Sequence, residues 1–171
     1  MFTKAAIEKF FGAEKSDSLA LIIIGITAIL LGLLFIFYYK TNWLKGFGIP
    51  LLVVGIIQFT SAFVLYKTCD ENRKKNVYAF DMNRDELKNI ELPRIAKINN
   101  RLLVQQYLEI TFLLIGAGVV FVYRNNSDKQ FWMGLGLAIA LQALIILTFD
   151  FIRTNRVVQY TIGLHSIIDK N

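Results

Sequence analysis

Charge is distributed along this chain in blocks. Residues 19–39, 46–66 and 130–149 carry no charged side chain, and residues 102–123 carry only Glu109. Each block holds 20 to 22 residues, and about 20 residues of helix cross the ~30 Å of a bilayer's hydrocarbon. The pattern predicts an all-α polytopic membrane protein with four transmembrane helices, spanning about 19–39, 46–66, 102–123 and 130–152. The 171 residues read as a single membrane domain. Lipid gives helices little hydrophobic reason to associate, so close backbone approach at small residues has to do it. Small residues recur at helical spacing in every span: Gly25, Ala28 and Gly32; Gly48, Gly55 and Ala62; Gly116 and Gly118; Gly136, Ala140 and Ala143. They predict a compact bundle.

The flanking segments are amphipathic. In residues 2–12, Phe2, Ala6 and Phe10 share a helical face with Ile7 and Phe11 beside it, while Lys4, Glu8 and Lys9 lie elsewhere. This predicts a short interfacial helix, ended by Gly12 in a left-handed cap, with Ser16, Asp17 or Ser18 capping the first span. The C-terminal stretch repeats the idea with Val157, Tyr160, Leu164 and Ile168 on one face. Residues 67–101 form the one sizeable polar piece. Residues 67–75 read as polar connection, followed by a turn and a short helix capped by Asp81 or Asn83. Pro93 starts a helix that runs into the third span, with Ile95, Ile98 and Leu102 as its stripe. Pro50 fits the first turn of the second span.

Composition agrees with the blocks: 55% hydrophobic and a mean hydropathy of +0.48 are too apolar for a water-soluble domain of this length. The formal charge of +6 is lopsided. With four spans, 15 of the 19 Lys and Arg residues fall on the side of the termini and the central loop, and 4 on the side of the two short hairpin loops. The positive-inside rule therefore puts both termini and residues 67–101 in the cytoplasm. Anionic lipid headgroups account for the basic face, and nucleic acid is not called for. Trp43 and Trp132, with Tyr38, Tyr39, Phe121, Tyr123 and Phe131, mark the opposite interface. The first apolar block is too long for a signal peptide and is followed by Phe37–Lys40 rather than small residues. Met1-Phe2 excludes N-myristoylation, and no C-terminal lipidation box is present. The expected location is a bacterial cytoplasmic membrane.

The candidate chemistry is a set of polar groups in the span halves nearest the basic side. Arg101, Gln105 and Glu109 are four apart and line one side of the third helix. Seven residues beyond Ala143, on the same stripe, stands Asp150. Gln58 lies on the small face of span two, and Gln142 deeper in span four. A carboxylate at membrane depth must be paired, protonated or hydrated; Arg101, Arg153, Lys67 and Gln58 are the expected partners for Glu109. The cluster reads as a contact for a partner or as a structural pin.

Little else in the sequence offers chemistry. His165 is the sole histidine and Cys69 the sole cysteine, which excludes an internal disulfide and any familiar zinc or haem site. No nucleophile elbow, phosphate loop or calcium loop occurs. The expectation is no catalytic residue, no metal, no cofactor and no enzyme. In topology and size the chain resembles the small four-span immunity proteins that protect against membrane-depolarising bacterial toxins; the resemblance assigns no residue a role. It implies a helix-mediated interaction protein, with an accessory subunit of a larger membrane complex as the equivalent reading. The alternative is a small transporter or oligomeric channel using Glu109 and Asp150. The small-residue stripes also permit a homo-oligomer. Finally, residues 35–48 echo residues 121–136, each with aromatics, a base, Asn, Trp and then Gly-x-Gly. The echo fits either a duplicated hairpin about an axis normal to the membrane or the shared demands on two interfacial turns.

Overall fold

The computed structural model describes residues 2–39 and 41–168; Lys40 and Lys170, counted above among the bases, lie outside them. The described chain is helical almost throughout. The elements are α1 (Lys4–Phe37), α2 (Asn42–Met82), a single turn α3 (Arg84–Glu86), a π-helical turn (Leu87–Glu91), α4 (Leu92–Tyr123), a 3-10 turn (Ser127–Lys129) and α5 (Gln130–Ile168). Four helical runs are long and apolar enough to cross a membrane.

The polar segments differ from expectation in a consistent way: they continue the spans. Gly12 does not end the first helix; α1 runs through it with no left-handed residue. Ser16, Asp17 and Ser18 cap nothing, and the Ser18 hydroxyl donates to the Glu14 carbonyl one turn back at 2.7 Å. Residues 67–75 are not a connection but the prolongation of α2. The chain breaks only at Asn83 (φ −150°, ψ 82°), whose side chain makes no capping bond to the backbone. A glycine inside a helix costs only about 1 kcal/mol, and around Gly12 the residues Phe10, Phe11 and Glu14 are buried against the rest of the bundle. Before Pro93, which lacks an N–H and crowds the carbonyl four residues back, the helix widens into the π-turn instead of stopping. Pro50 is not in a first turn either, since α2 starts at Asn42. It leaves the Gly46 carbonyl without its helical donor.

α1 packs along α2 and α4 along α5, and the two hairpins join through α2 and α5. One end of the bundle holds the two hairpin turns. The other, basic end holds the termini and the α2–α3–α4 crossing. Buried positions recur every seventh residue on all four long helices. They are Phe11, Ser18, Gly25 and Gly32 on α1; Gly48, Gly55, Ala62, Cys69 and Asn76 on α2; Ile95, Leu102, Glu109 and Gly116 on α4; and Gly136, Ala143, Asp150, Val157 and Leu164 on α5. A seven-residue seam is the pattern of left-handed coiled bundles. Toward the hairpin end the seam is glycine and alanine, while Leu30, Ile57 and Leu114 turn outward. Toward the basic end it is Ile7, Phe11, Leu87, Ile95, Leu102, Val157 and Leu164. The first arrangement suits a lipid solvent, where close backbones hold helices together; the second suits water, where buried apolar volume does.

The two hairpins repeat one packing motif. A Cβ added to Gly32 would lie 2.9 Å from the Gly48 carbonyl and 3.0 Å from Leu52 N; one added to Gly116 would lie 2.6 Å from the Gly136 carbonyl and 2.8 Å from Ala140 N. Between hairpins the contact is reciprocal: Gly46 abuts the Phe131 carbonyl, and Gly134 abuts the Trp43 carbonyl. Neither Gly46 nor Gly134 was singled out by the spacing argument, although both are small residues beside the Gly-x-Gly echo. Gly118, expected to pack, has nothing within 4 Å.

Candidate functional site

The repeat supplies a ruler for the polar residues. Matching Gly32 with Gly116 and Gly48 with Gly136 sets Phe11 against Ile95, Ser18 against Leu102 and Gly25 against Glu109. On the other helix of each hairpin it sets Gly55 against Ala143, Ala62 against Asp150 and Cys69 against Val157. Each of these pairs is buried in both members. The same ruler sets Val54 against Gln142. The first hairpin thus builds the same seam without a carboxylate: where α4 and α5 carry Glu109 and Asp150, it has glycine and alanine.

Glu109 and Asp150 are brought together. Their carboxyl groups face each other across the α4–α5 seam, at 9% and 6% exposure. Glu109 Oε2 and Asp150 Oδ2 are buried without a hydrogen-bond partner. Like charges side by side in a low-dielectric setting repel strongly, so the pair is satisfied either by one proton shared between the two carboxyl groups or by a donor from outside. Gln142, 6% exposed, likewise has both amide atoms unpartnered, and Gln58 its Nε2.

The expected partners of Glu109 are engaged elsewhere or apart. Arg153 pairs with Glu14 at 2.9 Å, a residue that reaches it because α1 is continuous. Arg101 and Lys67 are exposed on their helices and form no ion pair among the described residues. Gln106, not Gln105, makes the inter-helix bond, donating to Thr154 at 2.9 Å. The buried acids Glu14 and Glu91 were also missed; Glu91 accepts both Arg94 N–H groups at 2.7 Å.

Glu109 and Gln142 line a groove of about 560 Å³ between α2 and α4, floored by α5. Gln105 lies at its end toward the basic side, and its walls are apolar: Pro50, Val53, Val54 and Ile57 from α2, Leu108 and Phe112 from α4. Here α2 and α4 barely touch. The matching space in the other half lies between α1 and α5 over α2. It is lined by Ile24, Ala28, Leu51 and Ile145 with Gln58 and Gln142, and it is closed to about 50 Å³. At this depth one seam of the bundle is shut and its twin is open, and Glu109 is on the open one; nearer the basic end the α1–α5 seam has a cavity of its own, about 260 Å³. Toward the hairpin end the Gly46–Phe131 and Gly134–Trp43 contacts bring α2 and α5 together, and the Trp43 indole Nε1 there is buried without a partner.

Among the described residues no cluster of three metal-ligating side chains occurs. Compared with protein families, curated proteins and solved structures, the chain matches none.

Proposed function

We propose that the protein is a non-enzymatic intramembrane interaction protein and that the open α2–α4 groove is its working surface. It sits in a cytoplasmic membrane with the basic end inside, as the 15-to-4 distribution of bases favours. The observation that carries the reading is the one-sided groove. Glu109 Oε2 on its wall and the Gln142 amide on its floor are buried and unpartnered; the twin of Glu109 is Gly25, and the twin space, which Gln142 also lines, is closed.

The occupant that fits is a single apolar helix bearing one hydrogen-bond donor, such as a lysine, asparagine or serine, at the depth of Glu109. Its apolar face meets Val53, Ile57, Leu108 and Phe112. Its donor meets the acid pair, where an interhelical hydrogen bond in lipid is worth about 0.6–2 kcal/mol. Such capture would suit protection against a membrane-targeting toxin, by holding the toxin's helix before it assembles a pore, and it would equally suit an accessory subunit of a membrane complex. A transporter or channel using Glu109 and Asp150 is the weaker reading, because α2 and α5 close on each other at Gly46 and Gly134, where the Trp43 indole is the buried polar group and no carboxylate or amide side chain continues the cluster.

The test uses liposomes holding the full-length protein and model poly-leucine helices that carry either no polar residue or one lysine at the depth of Glu109. Energy transfer between labels should report association with the lysine helix only. Glu109→Gln and Gln142→Leu should each reduce it, and the same liposomes should show no ion flux. Equal association of the all-leucine helix would remove the role given to the acid pair. Flux lost in Glu109→Gln would replace this function with transport.

A further inference from the structure

At the basic end the two seams also differ. The α1–α5 seam carries its own ion pairs, Glu14 with Arg153 and Asp17 with Arg156, beside a cavity of about 260 Å³ lined by Lys9, Phe10, Arg156 and Tyr160. On the repeat ruler the α2–α4 seam carries Arg101 in place of Asp17 and Thr68 in place of Arg156. At these two positions it has a cation and no anion. Between α2, α4 and α5 lies a cavity of about 250 Å³ lined by Arg101, Arg153, Ser61, Thr68 and Gln105. Arg153 gives Nε and Nη2 to Glu14, so its charge is offset and only its remaining N–H groups are free. The Thr68 hydroxyl already donates to backbone carbonyls. Arg101, with no ion pair among the described residues, therefore sets the sign of the cavity. Gln105 lines both this cavity and the apolar groove, so the two spaces adjoin, and Arg101 stands just outside the apolar block that begins at residue 102.

We infer that this cavity binds the headgroup of an anionic phospholipid, with its phosphate on Arg101 and the free N–H of Arg153. One acyl chain runs past Gln105 into the groove. The phosphate supplies to the α2–α4 seam the negative charge that Asp17 supplies to the α1–α5 seam. Guanidinium groups match phosphate oxygens in geometry and charge, and basic pockets between membrane helices at the interface select anionic headgroups. The adjoining apolar groove is what distinguishes a lipid from a free anion. The inference does not rest on the partner-helix reading, although a lipid chain in the groove is what an arriving helix would displace.

The experiment is native mass spectrometry of the full-length protein in mild detergent, with added phosphatidylglycerol or phosphatidylcholine of the same chains, and with excess inorganic phosphate as competitor. Phosphatidylglycerol should be retained over phosphatidylcholine and should resist phosphate. Arg101→Gln should lower its retention about tenfold, the scale of one lost charge-assisted contact. Thr68→Glu should do the same by giving Arg101 a partner within the chain. Arg124→Gln, the same charge change at the hairpin end, should leave retention unaltered. Melting curves matching wild type would show both cavity variants folded, as expected for two exposed positions. Equal retention of phosphatidylcholine, full retention by Arg101→Gln, or displacement of the lipid by phosphate would overturn the assignment.

Discussion

Glu109 shows how far single residues could be read. Its four-residue spacing from Gln105 and Arg101 placed all three on one side of a helix, and the seven-residue step from Ala143 placed Asp150 on the α5 seam. What spacing could not supply was the partner. Arg153 goes to Glu14, and Glu14 is near it only because α1 continues through Gly12. Cys69 offers a prediction at the same scale. It is buried, and its thiol donates to the Phe11 carbonyl at 3.1 Å. Burial pushes its pKa from 9.0 to about 11. At pH 8 roughly one thiol in a thousand is then thiolate, the reactive form. Maleimide should label Cys69 at least about a hundredfold more slowly than a cysteine placed at exposed Glu71 in a Cys69→Ala background. Because the folded pKa is raised, the Cys69 rate should keep climbing about tenfold per pH unit between 8 and 10. Comparable rates at the two positions would show that the thiol is not held in the seam.

At the scale of elements, the four long apolar helices were legible because lipid-length apolar blocks have few alternatives. The polar extensions were not, because polar residues and a glycine look like punctuation when each segment is read alone. Their helicity depends on partners far away in sequence: Lys15 with Asp70 and Lys4 with Asp81 tie α1 to α2, and Phe10 stacks on Tyr160 of α5 with ring centroids 4.1 Å apart. Gly12 tests the continuity of α1 directly. It is a helix-interior glycine, exposed, with nothing within 4 Å of where a Cβ would stand. Gly12→Ala should therefore stabilise the protein by about 0.5–1 kcal/mol, read as a higher melting temperature in detergent. If Gly12 instead ended a separate surface helix in a left-handed cap, the alanine would be strained and the melting temperature would fall.

The whole molecule is two similar hairpins joined face to face and made unequal in one seam. The echo between residues 35–48 and 121–136 hinted at this. The equivalence became plain only when the seven-residue seam positions of α1 and α2 fell against those of α4 and α5, with identities as different as Gly25 and Glu109. The two hairpins share the seven-residue seam with few shared identities, as expected where close helix contact constrains residue size more than residue type. The inequality predicts a cross-linking asymmetry between twin positions. Ile24 and Ile145 line the closed α1–α5 space, and their twins, Leu108 and Ile57, line the open groove. In a Cys69→Ala background, cysteines at 24 and 145 should join with a short thiol-specific linker. Cysteines at 57 and 108 should need a longer one, and a bound helix or lipid should protect them. If both pairs close equally with the short linker, the two seams are alike in the membrane. The groove, and every role assigned to Glu109 and Gln142 within it, would then have no place to act.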